Sequence, residues 1–376
     1  MLNPKLFFNA LCSEGIQFFS GVPDSLLKSI CAYISDNTTS KNHIIAANEG
    51  NALSIGIGYH LSTDKLPLIY MQNSGLGNII NPLLSLADPD VYSIPMLLLI
   101  GWRGEVNVND EPQHKKQGRV TLELLETMEI PYQILSHDTS NIEAKEVIQK
   151  AVHYAQAKNC PYALVVRKGS FENYALESNK YEGFPMLREE AIKLVVDELS
   201  EEDVVVSTTG VTSRELFEYR TELDQGHEKD FLTVGGMGHA NQIALGIALQ
   251  KPNRQIFCFD GDGAMIMHLG SLAINASLQC NNFKHIVFNN GAHDSVGGQP
   301  TVGHQINVQE IAKAMGYTRV DQAKTESEIK DKVRDMKACN GPALLEIMVS
   351  KGFRKDLGRP TIHPLHNKKA LMRFIK

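Results

Sequence analysis

The chain has 376 residues, 43% of them apolar and 21% charged, and a formal net charge of −6 at neutral pH. That length suits about two domains, and the balance is that of a globular protein with sizeable cores. The acidic balance argues against a nucleic-acid partner, and no apolar run reaches the ~18 residues of a membrane helix; without a signal-peptide pattern, a cytoplasmic location is the simplest expectation.

In chain order, short apolar runs predict strands over 16–19, 43–46, 66–71, 96–100 and 162–166, with helices over 25–34, 49–61 and 79–86. Strands alternating with helices imply a parallel sheet with right-handed crossovers. The stretch 168–185 breaks this pattern with Gly169, Asn173, Asn179, Gly183 and Pro185 and reads as a linker. A second series follows, with strands over 204–207, 231–234, 255–259, 285–288 and 343–349 and helices over 189–199, 214–219, 240–249 and 269–279. The expectation is therefore an α/β chain of two doubly wound parallel-sheet domains, 1–178 and 186–376. Six scattered cysteines lack a C-x-x-C pair and read as free thiols, mostly buried.

The sharpest motif is Gly261-Asp262-Gly263-Ala264, followed one helix and one strand later by Asn289-Asn290-Gly291. Both segments fall at strand C-terminal ends, where open α/β sheets form their ligand crevice. Asp262 and Asn290 offer hard oxygen ligands for Mg²⁺, and the glycines admit a phosphate close to backbone N–H groups. A glycine turn with a helix-capping aspartate would explain Gly-Asp-Gly alone; the Asn-Asn strand end at this spacing favours the metal reading. Three further turns belong with it. Glu49 opens a helix after a strand, Gln72-Asn73-Ser74-Gly75 opens another, and Gly235-Gly236-Met237-Gly238 carries one bulky apolar residue. Singly, these read as a capping carboxylate, a connection and a core methionine.

Together these segments resemble the thiamine-diphosphate-dependent decarboxylases over essentially the whole chain. The resemblance implies a pyrimidine-binding domain followed by a diphosphate-binding domain, both of the thiamine-diphosphate-binding fold. The extra domain of the larger members is missing, which points to the compact branch of phosphonopyruvate and sulfopyruvate decarboxylases. Gly21-Val22-Pro23-Asp24-Ser25, Gly101-Trp102-Arg103-Gly104-Glu105, Asp110-Glu111-Pro112-Gln113-His114 and the run from Asn290 to Thr301 are similar to the phosphonopyruvate members. By that resemblance, Asp262, Asn290 and the carbonyl of Ala292 would ligate Mg²⁺. The metal and the following helix N-terminus would neutralise the diphosphate, with Thr209-Gly210 forming the other wall of its cradle. Glu49 would bind the aminopyrimidine and promote its imino tautomer, Met237 would hold the cofactor folded, and Gly236 would contact its amino group. A homo-oligomer is implied, because Glu49 and the metal would meet only between two subunits.

The implied reaction is decarboxylation of a small 2-oxo acid with a distal phosphonate, 3-phosphonopyruvate, to phosphonoacetaldehyde. Such a product would feed phosphonates such as 2-aminoethylphosphonate. The extra anion calls for cations or N–H donors, and Arg103, His114, Lys115, Arg119, His293, Arg354, Lys355 and Arg359 are available. A polar stretch 101–118, after a core strand, reads as an active-site loop. Asp24 and Ser25 are candidates for substrate contact and proton transfer, although Pro-Asp-Ser before an amphipathic run is also an ordinary helix cap. His114 and His293 titrate in the useful range. The alternatives are sulfopyruvate decarboxylation, a thiamine-diphosphate-binding protein without catalysis (against which Glu49 argues), and a nicotinamide oxidoreductase, for which no G-x-G-x-x-G follows the first strand.

Overall fold

The computed structural model describes residues 1–177 and 183–376; the middle of the expected linker, and the expected end of the first domain at 178, lie outside the described residues. The chain divides into two compact units, Met1–Lys180 and Tyr181–Lys376.

Unit 1 is built on a six-stranded sheet of β1 (Phe19–Gly21), β2 (His43–Ile45), β3 (Leu68–Gln72), β4 (Met96–Gly101), β5 (Tyr132–Leu135) and β6 (Pro161–Val166). Every pairing is parallel, in the order β2-β1-β3-β4-β6-β5. Its helices are α1 (Pro4–Ser13), α2 (Lys28–Asn37), α3 (Glu49–Thr63), α4 (Leu76–Pro82), α5 (Pro112–Thr127) and α6 (Asn141–Lys158). A parallel sheet covered on both faces needs strands that are apolar throughout, and β4 is buried at every residue. Because side chains alternate along a strand, Leu97 and Leu99 enter one core with Phe7 and Ile148, while Leu98 and Ile100 enter the other with Leu53 and Leu125.

Unit 2 repeats the plan with β7 (Val204–Ser207), β8 (Asp230–Leu232), β9 (Ile256–Gly261), β10 (Phe283–Asn289), a small hairpin of β11 (Ala292–His293) and β12 (Gln299–Pro300), then β13 (Arg319–Ala323) and β14 (Ala343–Met348). Helices α7 (Arg188–Asp197), α8 (Val211–Glu222), α9 (Ala240–Gln250), α10 (Asp262–Met267), α11 (Ser271–Ser277), α12 (Val308–Met315), α13 (Glu326–Ala338) and α14 (Pro364–Phe374) surround it. The main sheet runs β13-β14-β10-β9-β7-β8. Leaving the hairpin aside, this is the strand order of unit 1 read from the other edge. In both units the chain reverses direction between its first and third strands, which opens a crevice at their C-terminal ends.

Several sequence expectations shift. The stretch 101–118 is a loop only as far as Glu111; Pro112 at the first helical position starts α5, so His114 and Lys115 sit on its first turn. The helix expected over 269–279 is the shorter α11, Ser271–Ser277, and a separate α10 precedes it across a break at His268–Gly270. Among the cysteines, Cys31, Cys160 and Cys258 are buried, Cys12, Cys280 and Cys339 half-buried, and all six are free thiols.

Gly118 lies inside α5 because nothing larger fits: a Cβ there would sit 1.7 Å from the Gly104 carbonyl oxygen. Its own carbonyl accepts from Trp102 Nε1 at 2.9 Å. Gly118→Ala would gain about 1 kcal/mol of helix propensity but force the loop after β4 off the helix, an overpacking cost of up to about 3 kcal/mol. The expected net result is a lower urea midpoint; a raised midpoint would contradict the close approach.

Candidate active site

In unit 2 the crevice is made by the turns after β7, β8, β9 and β10. The β9–β10 register sets Gly261 opposite Phe288, which carries Asp262 and Asn290 to neighbouring strand ends. Thr208 N donates to Phe259 O at 2.7 Å, holding the Thr209-Gly210 turn beside them. Gly210 has φ 98° and lies near Ser295; a Cβ on it would be 3.6 Å from Ser295 Oγ. The Gly235–Gly238 turn, with positive φ at Gly236 and Gly238, packs on α10: a Cβ on Gly238 would lie 3.1 Å from Ala264 O. Met237 is half-buried at the tip of that turn. Gly263 meets the His293 ring in the same way, at 2.8 Å from Cε1.

Asp262 is only 2% exposed. Its Oδ2 accepts from the Thr301 hydroxyl. Burial pushes its pKa up to about 6, against the hydrogen bonds from Thr301 and from the backbone of Asn290 and Gly263 that favour the charge. Asn290 donates through Nδ2 to Asp294 Oδ2 at 2.6 Å, and its Oδ1 accepts from Ala292 N at 3.1 Å. Asn289 braces the turn from behind, with Nδ2 on Gly303 O at 2.9 Å and on Glu346 Oε1 at 2.6 Å. Nothing bulkier than Gly303 fits against this pair, since a Cβ there would meet Asp262 Oδ2 at 2.5 Å and Asn289 Oδ1 at 2.7 Å.

These residues fit a divalent cation with a diphosphate. The donors are a carboxylate, a carboxamide and backbone carbonyls, the oxygen set that hard cations take. A buried carboxylate raised in pKa by desolvation gains most from a bound cation. Beside the cradle, the buried Thr208 Oγ1 has no hydrogen-bond partner among the described residues. The α10 helix has only six residues, so individual N–H groups, more than a helix dipole, would face an anion there.

In unit 1 the equivalent strand ends hold the remaining candidates. Glu49, 6% exposed at the start of α3, has Oε2 accepting from Asn78 Nδ2 at 2.7 Å. It lies over Gly75, where a Cβ would come within 2.6 Å of Oε1. Asp24 is fully buried: Oδ1 accepts from Gln72 Nε2 at 2.7 Å, and Oδ2 from Leu26 N at 2.9 Å and Leu27 N at 3.3 Å. Burial raises its pKa while those donors oppose the shift. With three donors aimed at it, Asp24 is an acceptor that ties the start of α2 to β3, and it is not exposed to a substrate. Gln72 is engaged on both sides, by Asp24 and by the Ser74 hydroxyl at 2.8 Å. Asn73 is likewise consumed, donating to Arg103 O and Thr121 Oγ1 at 2.8 Å each and accepting from Arg103 N at 3.1 Å.

Arg103 is the cation closest to this cluster. Its Nη1 donates to Ser25 Oγ at 2.7 Å, and its Nε and Nη2 grip both oxygens of Asp110. Burial opposes the Asp110 charge, yet Arg103 and the N–H groups of Glu111 and Gly104 hold that carboxyl well below the usual range. Its hydrogen bond to Asp110 in turn raises the Arg103 pKa. Lys115 and Arg119 are exposed on α5, and His114 is half-buried.

Around β14 the expected basic segment is differently disposed. Arg354 is engaged by three carboxylates, Glu189 at 3.0 Å, Asp356 at 3.2 Å and Glu218. Its charge is paired within unit 2. Lys355 and Arg359 are exposed. His293 is driven to a pKa of about 4 by burial, so its imidazole is neutral at pH 7. Sequence reasoning assigned no role to Thr301, Asp294, Gly303 or Arg188. Thr301 and Asp294 lie within the 290–301 run, but nothing in their spacing announces that they reach Asp262 and Asn290.

Residues 4–124 match the N-terminal TPP binding domain of thiamine pyrophosphate enzymes, and residues 209–347 match the C-terminal TPP binding domain. Phosphonopyruvate decarboxylase of Streptomyces viridochromogenes is 31% identical over 97% of this chain and 93% of its own length. The chain belongs to the thiamine pyrophosphate enzyme family. Within that family, phosphonopyruvate decarboxylase of Streptomyces hygroscopicus is 32% identical, with 97% of this chain and 92% of that protein covered. Sulfopyruvate decarboxylase of Methanosarcina acetivorans is 26% identical over 96% and 93%. The family match spans both crevices: Glu49 falls in the N-terminal segment, and Thr209, Asp262 and Asn290 in the C-terminal one. No helix among the described residues is long and apolar enough to cross a membrane.

Proposed function

We propose that this thiamine pyrophosphate enzyme decarboxylates 3-phosphonopyruvate to phosphonoacetaldehyde and CO₂, with Mg²⁺ held at Asp262, Asn290 and the Ala292 carbonyl. The observation that carries the site is the buried Asp262 carboxylate at the β9 end, set among oxygen donors and glycines that leave room for a phosphate. The substrate assignment is supported by 31% and 32% identity to two phosphonopyruvate decarboxylases over nearly the whole chain, against 26% to a sulfopyruvate decarboxylase.

When bound, thiamine diphosphate supplies the electron sink that lets a 2-oxo acid lose CO₂. The chain's own residues supply orientation and charge. Glu49 would hydrogen-bond the aminopyrimidine, its carboxylate positioned by Asn78. The Thr208–Gly210 turn, Gly236, Gly261, Gly263 and Ala264 would present backbone to the cofactor, and Met237 would pack against it. Arg103, with Ser25 and the α5 residues His114 and Lys115, meets the distal anion; Asp110 holds the guanidinium in place until it arrives. A homo-oligomer completes the site, one copy giving Glu49 and the other Asp262, which sedimentation at varied protein concentration tests.

Turnover measured as CO₂ release should require both added thiamine diphosphate and Mg²⁺, and kcat/KM for 3-phosphonopyruvate should exceed that for sulfopyruvate. A larger value with sulfopyruvate would reassign the substrate while leaving the cofactor site standing.

A further inference from the structure

Asp294 lies outside the oxygen set assigned to the metal, yet it governs one member of that set. It sits on the turn between β11 and β12, with its side chain 5% exposed. Its Oδ2 accepts from Asn290 Nδ2 at 2.6 Å, from Gly352 N at 3.1 Å and from Arg188 Nη1 at 3.5 Å. Arg188, at the start of α7, is held from its other side by Glu215 of α8, through Nε at 2.8 Å and Nη2 at 3.2 Å. The three side chains are almost wholly buried, at 7% for Arg188, 1% for Glu215 and 5% for Asp294.

We propose that Asp294 is the positioning residue that fixes which end of the Asn290 carboxamide faces the cation, and so sets the divalent-metal affinity of the site. This rests on the reading of Asn290 as a metal ligand. An ionised carboxylate only accepts hydrogen bonds, so the amide nitrogen must face Asp294. Turning the amide over would set Asn290 Oδ1 against Asp294 Oδ2 at the same 2.6 Å, two acceptors in contact inside the protein. Asn290 Oδ1 is therefore held on the opposite side, where it accepts from Ala292 N at 3.1 Å. The carboxylate is itself immobile, because its other donors come from the start of α7 and from the segment after β14. Outer partners of metal ligands typically change affinity by about 10–100-fold when removed.

The decisive measurement is Mn²⁺ binding, read by the electron paramagnetic resonance signal of the free ion, on the full-length protein with thiamine diphosphate present. Asp294→Ala should bind Mn²⁺ roughly 10–100-fold more weakly, and raised metal should restore most of its kcat. Asp294→Asn keeps the volume and one acceptor oxygen and should lose less. In an Asn290→Ala background, Asp294→Ala should cost almost nothing further, because its only route to the metal is gone. Wild-type affinity in Asp294→Ala overturns the inference, as does an equal further loss in the Asn290→Ala background. If Asp294→Ala fails to fold, Asp294→Asn with wild-type affinity does the same. No Mn²⁺ binding by the wild-type chain would overturn the metal-site reading itself, and the inference with it.

Discussion

Glu49→Gln is expected to lower turnover by roughly 10²–10⁴-fold, the usual contribution of a positioned proton-transfer group, while thiamine diphosphate still binds. The substitution preserves shape in a place with little room, since Glu49 is 6% exposed and Gly75 lies directly beneath it. A glutamine oxygen can still accept from Asn78 Nδ2, now 2.7 Å from Glu49 Oε2, so the fold and the start of α3 should hold. What is lost is a group that can exchange a proton with the aminopyrimidine. Calorimetric titration with the cofactor, set beside kcat, separates the two effects. Undiminished kcat would strip Glu49 of its assigned role, and loss of binding with loss of activity would make it a binding residue only.

The second large effect is expected from Asp262→Ala, which removes the carboxylate from the set of Asp262, Asn290 and the Ala292 carbonyl. Binding only the folded state stabilises a protein by about 2.7 kcal/mol when ligand is present at 100 times its Kd. The wild-type chain should therefore show a rise in Tm with Mg²⁺ and thiamine diphosphate together, and Asp262→Ala should lose it. Without ligand the variant should be no less stable than wild type. Burial opposes the Asp262 charge and pushes its pKa up to about 6, so deleting the group removes an unfavourable desolvation. A normal cofactor-dependent rise in the variant would refute the metal assignment; a collapsed ligand-free Tm would show a structural role for Asp262.

Particular residues show where sequence reading reaches and where it stops. The strand at 96–100 was legible because every residue of β4 must be apolar in a sheet covered on both faces. Helix α5 was missed because Gly118 and a run of polar residues masked its period, and the contact between Gly118 and the Gly104 carbonyl is a tertiary one. Asp24 read as a candidate for substrate contact and, more strongly, as a cap; its Oδ2 accepts from the Leu26 and Leu27 N–H groups in the turn before α2, whose N-cap is Leu27. Arg354 stood out as a cation in an acidic chain, yet its neutralising partners Glu189 and Glu218 come from α7 and α8.

By itself the sequence determined the two-fold α/β plan, the family and the placement of the Gly261 and Asn290 turns at strand ends, because these depend on local periodicity and on which residue types stand at strand ends. Only the tertiary structure decided how the charged side chains are divided between structure and site. Ion pairs form between groups far apart in the chain, and a cation or carboxylate carries no mark in sequence of the partner that folding will set beside it. Arg354 with Glu189 and Arg188 with Asp294 were settled in that way.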